Sequence, residues 1–143
     1  MDTISKKHRS WNMSRIKSKD TQPELVVRSI LHNLNYRFRL NGNISKKVEP
    51  NGILPGRPDI VLAKYKCCIF VHGCFWHRHK NCKYAYMPKT NKEFWIKKFD
   101  DNVKRDKKVK ELLISKGWEV IEIWECETKE IDLLSEKLKK VIG

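Results

Sequence analysis

The chain has 143 residues, 40% of them hydrophobic, and its five Trp, five Phe and four Tyr favour a packed fold over a disordered chain. Its formal net charge is +14, unevenly spread: residues 1–110 carry 26 Lys and Arg against 9 Asp and Glu, whereas residues 111–143 carry 5 against 8. So basic a body favours a polyanionic partner, most simply nucleic acid, over a surface that is only solubilising. No apolar run approaches the roughly 20 residues of a membrane span, and the N-terminus lacks the apolar stretch of a secretory signal, so we expect a cytoplasmic protein with no membrane partner.

The first half of the chain begins with a polar, basic segment. Residues 1–20 are rich in Lys and Arg and predict an arm that lies outside the core. Thr21-Gln-Pro-Glu24 has the form of a capping box, and apolar residues at helical spacing follow it, so the sequence predicts a helix over residues 22–34. Residues 36–40 alternate between apolar side chains and Arg, which is typical of a strand.

Two short apolar runs come next, over residues 59–63 and 67–71, and both predict strands that are buried on two faces. Thr90-Asn-Lys-Glu93 has the form of a second capping box and predicts a long helix that ends near Lys116, before a glycine. Residues 118–124 predict a fourth strand. Because the long helix separates the third and fourth strands, we expect these two to pair in parallel.

A last amphipathic helix is predicted over residues 131–141. The order of elements is therefore α-β-β-β-α-β-α, which indicates an α/β protein with a mixed sheet flanked by helices. No linker composition interrupts the chain, so we expect residues 1–143 to form one domain with residues 1–20 as its basic arm.

Cysteine and histidine are concentrated between the third strand and the long helix. Cys74 and Cys82 bracket His77 and His79, and Cys126 follows the fourth strand. Three thiolates and one imidazole would complete a closed tetrahedral Cys3His zinc site, whose role is structural. The spacing does not decide between His77 and His79, and free thiols with surface histidines remain the alternative.

Two further features suggest phosphate chemistry. Asp59 follows a Gly-Arg-Pro turn at the start of an apolar strand, where its carboxylate can hold Mg²⁺ or simply cap the turn. His72 and His77 flank Cys74, and their imidazoles can exchange protons near neutral pH or serve as buried core residues.

Large apolar side chains stand among basic residues at three places in the chain. Phe75, Trp76 and Trp95, with Met13 in the arm, can wedge between base pairs, although Trp95 is also spaced to pack against Phe99 on one helix. The long helix carries many Lys and Arg, which either contact phosphates or form a solvated face.

Six short motifs occur in order along the chain: Asn12-Met13, Pro55-Gly-Arg-Pro-Asp59, Ile69-Phe-Val-His-Gly-Cys-Phe-Trp-His77, Glu93-Phe-Trp95, Asn102-Val-Lys-Arg-Asp106 and Trp124-Glu-Cys126. With them the chain resembles the very-short-patch-repair (Vsr-type) DNA mismatch endonucleases. The resemblance implies a PD-(D/E)XK-like nuclease core with a structural zinc site. It also implies Mg²⁺-dependent nicking of one DNA strand, 5′ of the thymine in T:G mismatches that arise when 5-methylcytosine deaminates.

The resemblance also implies a role for each matching residue. The catalytic residues are Asp59, His77, His72 and Glu24, and Mg²⁺ is bound by Asp59 and the Val71 backbone carbonyl. Zn²⁺ is bound by Cys74, His79, Cys82 and Cys126. The residues that wedge into the DNA are Phe75, Trp76, Trp95 and Met13. The partner is double-stranded DNA with a T:G mismatch, with mismatch-repair proteins as natural companions. We expect a monomer in the bacterial cytoplasm, associated with the nucleoid.

The chain departs from the family pattern in a few places. Val71 stands where Thr is expected, and the third strand carries no (D/E)-x-Lys. The loop between His79 and Cys82 is one residue longer than expected, and Val48 to Ile53 has the form of an insertion. Two other functions suit the same features: a zinc-stabilised DNA-binding module without catalysis, and a restriction-type nuclease that cuts both strands of intact duplex.

Overall fold

A computed structural model describes residues 21–75, 77–80 and 82–142 of the chain, so the predicted arm lies outside the described residues. Its sheet has four strands in the order β1 (Arg39–Leu40), β2 (Ile60–Leu62), β3 (Cys67–His72) and β4 (Glu119–Trp124). The first three strands pair antiparallel and β3 pairs in parallel with β4, which confirms the predicted mixed sheet.

Among the described residues three helices cover the sheet: α1 (Gln22–Asn33), α2 (Lys92–Ser115) and α3 (Ile131–Ile142). Short 3-10 helices at Ala63–Tyr65 and Glu125–Lys129 follow β2 and β4. The order α-β-β-β-α-β-α is confirmed for the described residues. None of the helices in the described part of the chain is long and apolar enough to cross a membrane.

The side chains of successive strand residues point to opposite faces of the sheet and pack into two separate hydrophobic cores, one on each face. On one face Ile60 and Ile69 pack with Leu31 of α1 and Leu138 of α3. On the other face the second core lies against α2, through Val61, Cys68, Leu113 and Trp118. Fully burying one such aliphatic side chain stabilises the fold by about 1.5–3 kcal/mol, so β2 and β3 are fixed firmly between two helical layers.

The pairing directions bring three chain segments to one edge of the sheet. The carboxyl ends of β3 and β4 lie side by side because these strands are parallel, and His72 is in register with Trp124. The start of β2 reaches the same edge because β2 runs antiparallel to β3, with Ile60 opposite Ile69. Residues just before β2, just after β3 and just after β4 are therefore neighbours.

The ends of several elements differ from the sequence prediction. The strand predicted over residues 36–40 is reduced to Arg39–Leu40, because its partner β2 has only three residues and a 3-10 helix follows it at Ala63. Both capping boxes were wrong. Thr21 makes no side-chain cap hydrogen bond, and α2 begins after Asn91, whose backbone is left-handed and which also provides no such bond.

Candidate active site and metal centre

The carboxylate of Asp59 lies just before β2 and crosses to the neighbouring strand. Its Oδ2 accepts a hydrogen bond of 2.7 Å from the backbone N–H of Val71. Burial, and to a smaller extent the charge of Glu24, raise the pKa of Asp59 to about 6, although the Val71 N–H, His77 and Arg28 act to lower it. Asp59 is therefore a partly desolvated carboxylate next to a second acidic group.

Glu24 comes from the first turn of α1 and is only 3% exposed. Its Oε2 lies 3.3 Å from Nη2 of Arg28, one helical turn later. Instead of capping the helix, this side chain lines the same cleft as Asp59. The structure thus places both carboxylates that the sequence nominated at one site.

His77 lies in the loop after β3, and its Nδ1 is 2.5 Å from Oδ2 of Asp106 on α2. Its ring centroid is 4.3 Å from that of His72. His72 is 7% exposed, and burial lowers its pKa to about 4, with the neighbouring His77 acting in the same direction. At neutral pH His72 is therefore an uncharged imidazole.

Asp106 was missed as a functional residue by the sequence analysis. Its signal was present in the Asn102-Val-Lys-Arg-Asp106 motif, which carried the resemblance but received no role. The long range of the contact explains the omission, because 29 residues separate His77 from Asp106 and only the packing of α2 brings them together.

These groups converge on one open cleft of about 1010 Å³. Its lining includes the acidic and imidazole groups just described and two cations, Arg57 and Arg105. Carboxylates that can hold a divalent cation, an imidazole oriented by a carboxylate and guanidinium groups suited to phosphates are the components of phosphodiester hydrolysis.

A second cluster lies at the same edge of the sheet and consists of Cys74, His79, Cys82 and Cys126, whose ligand atoms lie within 4.8 Å of one another. Nδ1 of His79 is 3.6 Å from Sγ of Cys74 and 3.4 Å from Sγ of Cys126. Three sulfurs and one imidazole nitrogen at such spacing fit a tetrahedral zinc ion.

The structure separates the two histidines that the spacing left ambiguous. His79 joins the three cysteines, where its ring stacks on Trp124 with centroids 4.2 Å apart. His77 turns away to Asp106. Cys126 reaches the cluster because it follows β4, which ends beside β3.

An aromatic cluster lies beside the cleft. The ring of Phe75 contacts Trp95, Phe99 and Tyr86, with centroids 5.6, 5.1 and 5.0 Å apart. Trp95 also stacks on Phe99 at 5.6 Å, as its helical spacing predicted. Two other nominated wedge residues, Trp76 and Met13, lie outside the described residues.

Comparison with known proteins decides the family. The family model described as "DNA mismatch endonuclease Vsr" matches residues 1–84. The chain belongs to the Vsr family of DNA mismatch endonucleases. It is therefore an endonuclease, a hydrolase that cleaves DNA.

Several curated relatives are similar over most of their length. The type II nicking enzyme V.XorIIP of Xanthomonas oryzae pv. oryzae is 37% identical over 141 residues, covering 99% of this chain and 96% of the relative. The type II nicking enzyme V.NmeAIP of Neisseria meningitidis is 39% identical over 141 residues, covering 99% and 94%. The DNA mismatch endonuclease Vsr of Escherichia coli K12 is 40% identical over 125 residues, covering 87% and 74%.

In this Vsr-family chain Arg78 braces the segment between β3 and α2. Its guanidinium donates to the backbone carbonyls of Ala85 and Tyr86 at 2.8 and 2.9 Å and to that of Phe75 at 3.3 Å. It also lies 4.1 Å from the ring centroid of Phe99. The Arg78 side chain thus joins the start of the loop to its middle and to Phe99 of α2. Arg78 itself lies in the sequence between His77 and His79, which belong to different clusters.

Proposed function

We propose that the protein is a DNA repair enzyme that nicks one strand 5′ of the thymine in T:G mismatches, which arise by deamination of 5-methylcytosine, in a Mg²⁺-dependent hydrolysis. The observation that carries the proposal is the convergence of Glu24, Asp59 and the His77–Asp106 pair on one cleft. Two of the relatives are named as nicking enzymes and one as a mismatch endonuclease, and the net charge of +14 suits a DNA substrate.

The donor set of the cleft fits Mg²⁺. Asp59 and Glu24 repel each other, and burial leaves the Asp59 carboxylate short of solvation, so a divalent cation would stabilise its ionised form. Asp59 and the backbone carbonyl of Val71 would hold the ion, and a backbone ligand makes the Val side chain compatible with activity. An Mg²⁺ ion held by these groups would supply positive charge to polarise the phosphate and to stabilise the leaving oxygen. The PD-(D/E)XK-like description of the core belongs to this proposal.

His77 is the general base in this scheme. When its Nδ1–H donates to Asp106, Nε2 keeps the lone pair and can accept a proton from water. Asp106 fixes the tautomer and stabilises the imidazolium that forms, so it is a positioning residue. His72, uncharged at neutral pH, would donate a hydrogen bond to the cleaved phosphate.

The Cys3His cluster would hold one zinc ion in a structural role. A four-ligand protein site has no open position for substrate. Its ligands Cys74, His79 and Cys82 lie in the loop that carries His77, and Cys126 ties this loop to the end of β4. Zinc would therefore fix the position of the general base.

Mismatch recognition would depend on the aromatic side chains next to the cleft. Phe75 and Trp95 would act with Trp76 as a wedge, and Met13 would enter from the arm. A T:G wobble pair is more easily unstacked than a Watson–Crick pair, so inserting aromatic rings costs less there. We further propose a monomer that works on the bacterial nucleoid in the cytoplasm, in company with mismatch-repair proteins.

Nicking of matched duplexes tests the proposal. Duplexes that differ only in one T:G or C:G pair, with either strand labelled, are incubated with the protein and Mg²⁺. We expect one nick, 5′ of the mismatched T, and an intact opposite strand. Cleavage of both strands of the C:G duplex would instead identify a restriction-type nuclease, and binding without cleavage would contradict the proposal.

A further inference from the structure

We infer that His72, His77 and Asp106 form a second metal site, selective for late first-row transition ions such as Ni²⁺ and Zn²⁺, whose occupation inhibits the enzyme. One ligand atom from each of these three residues lies within 4.8 Å of those of the other two. The residues come from the end of β3, the following loop and α2, so the fold itself assembles the cluster.

The donor chemistry separates this site from that of Mg²⁺. Two imidazoles and one carboxylate are donors that Ni²⁺, Cu²⁺ and Zn²⁺ prefer, whereas Mg²⁺ takes oxygen ligands and keeps its waters. The oxygen donors proposed for Mg²⁺, from Asp59 and Val71, belong to other residues. Mg²⁺ would therefore bind the oxygen ligands, and the transition-metal ion would bind the imidazole site.

The cluster is close to the geometry that a metal ion needs. The Nδ1–Oδ2 separation of 2.5 Å between His77 and Asp106 must open, because bonds of about 2.0 Å in a tetrahedral site place ligand atoms about 3.3 Å apart. The required change is less than about 1 Å, and Asp106 is half-buried on α2 and not fixed in the core. Glu122 supplies a further oxygen nearby, with Oε2 3.8 Å from Nε2 of His72.

Ions can reach the cluster from two sides. His72, His77 and Asp106 line the main cleft, and they also line a second, smaller cleft of about 420 Å³ on the side of Lys107 and Glu122. An open approach and a vacant coordination position for water are expected of an exchangeable site, in contrast to the closed Cys3His cluster, with which it shares no ligand.

Occupation would remove the proton acceptor of the reaction. A metal ion bound by His77 and Asp106 would either coordinate the imidazole nitrogen lone pair or bind the carboxylate that orients the imidazole. In both cases His77 would no longer accept a proton from water. This inhibitory consequence rests on the proposed function, whereas the binding itself does not.

Calorimetry tests the binding on protein dialysed until it retains one zinc per chain, so that the exchangeable site is empty at the start. Ni²⁺ is titrated in Mg²⁺-free buffer, and the zinc content is measured afterwards to show that the Cys3His cluster was not exchanged. We expect about one Ni²⁺ per chain, bound about tenfold or more weakly by His77→Gln and by Asp106→Asn. Asp106 is half-buried at the surface, so its variant keeps the test valid if the other variant folds poorly. His32→Gln, at an exposed position of α1, is the matched control and should bind as the wild type does.

A nicking assay then tests the inhibition. Ni²⁺ at a concentration that fills the calorimetric site should slow nicking of the T:G duplex about 100-fold or more, and tenfold more Mg²⁺ should not restore it. Absence of calorimetric binding, or equal binding by the wild type and both cluster variants, would overturn the site. Full nicking at saturating Ni²⁺, or rescue by Mg²⁺, would overturn the inhibition. A wild type that never nicks in Mg²⁺ alone would instead refute the proposed function, and the calorimetry would still report on the site.

Discussion

His77 and Asp106 are joined by a 2.5 Å contact between Nδ1 and Oδ2, across 29 residues of sequence. The contact ties the loop after β3 to α2 at the point where both border the cleft. An imidazole oriented by a carboxylate has a defined tautomer, and its second nitrogen is then available for proton transfer. The pair therefore links the packing of the longest helix to the chemistry of the cleft.

Replacing Asp106 by Asn should slow nicking while leaving DNA binding nearly unchanged. An amide holds His77 in place less selectively and does not stabilise the imidazolium, so kcat should fall about 100-fold or more with little change in KM. Steady-state kinetics on a T:G duplex measures kcat and KM separately. Asp101→Asn, at an exposed position of the same helix, is the control and should retain activity. A parallel loss of kcat and affinity would indicate general disruption of the site.

Replacing Asp59 by Asn should stabilise the Mg²⁺-free protein. The folded-state pKa of Asp59 is raised from 3.8 to about 6, so its ionised form destabilises the fold. This penalty is absent below pH 3.8, grows as the pH rises towards 6 and is complete above that. At pH 7.5 the gain should be about 3 kcal/mol in the free energy of unfolding, and it should shrink as the pH falls below 6.

Urea unfolding of the two proteins without Mg²⁺ measures this difference. Added Mg²⁺ should stabilise the wild type and not Asp59→Asn, because only the carboxylate is proposed to hold the ion. A less stable Asn variant at pH 7.5, or equal stabilisation of both proteins by Mg²⁺, would count against the desolvated carboxylate as the metal ligand.

Replacing Cys82 by Ser should release the proposed zinc ion. We expect the wild type to contain about one tightly bound zinc per chain and the variant to lose it, with a lower melting temperature. Elemental analysis after dialysis measures the content. Cys67→Ala is the control, because Cys67 is buried in the sheet core away from the cluster and its variant should keep the zinc. Zinc retained by Cys82→Ser would remove this residue from the ligand set.

Replacing Trp95 by Ala should weaken the preference for mismatched DNA. Base–aromatic stacking contributes about 1–3 kcal/mol per base, so the ratio of affinities for T:G and C:G duplexes should fall about tenfold. Ile96→Ala is the control, since Ile96 is the next residue of α2 and is 55% exposed. If the affinity ratio of Trp95→Ala matched that of the wild type, Trp95 would be a packing residue only.

The order of the elements could be predicted from the sequence, since periodicity and apolar runs reflect burial directly. Predicting a helix over 22–34 and another over 131–141 was close to the observed Gln22–Asn33 and Ile131–Ile142. Capping motifs predicted less well. Thr21 makes no side-chain cap hydrogen bond, and Glu24 lines the cleft and lies 3.3 Å from Arg28, so the predicted capping box does not form.

The site was predictable where the chemistry is local and much less so where it depends on topology. Cys74 and Cys82 lie close together in the sequence with two histidines between them, so spacing predicted a local Cys/His cluster, whereas only the family resemblance favoured His79 over His77. Cys126 and Asp106 reach their clusters only through the parallel pairing of β4 and the packing of α2. Spacing provides no information on such contacts.

The measurement that tests the account most directly is single-turnover nicking of a labelled T:G duplex by the wild type and by Asp59→Ala, with binding of the same duplex measured alongside. The account predicts a nick 5′ of the mismatched T by the wild type, no detectable nick by the variant, and similar affinity of both proteins for the duplex. Wild-type rates of nicking by Asp59→Ala would contradict it, because the cleft around Asp59 would then not be where the phosphodiester is cut.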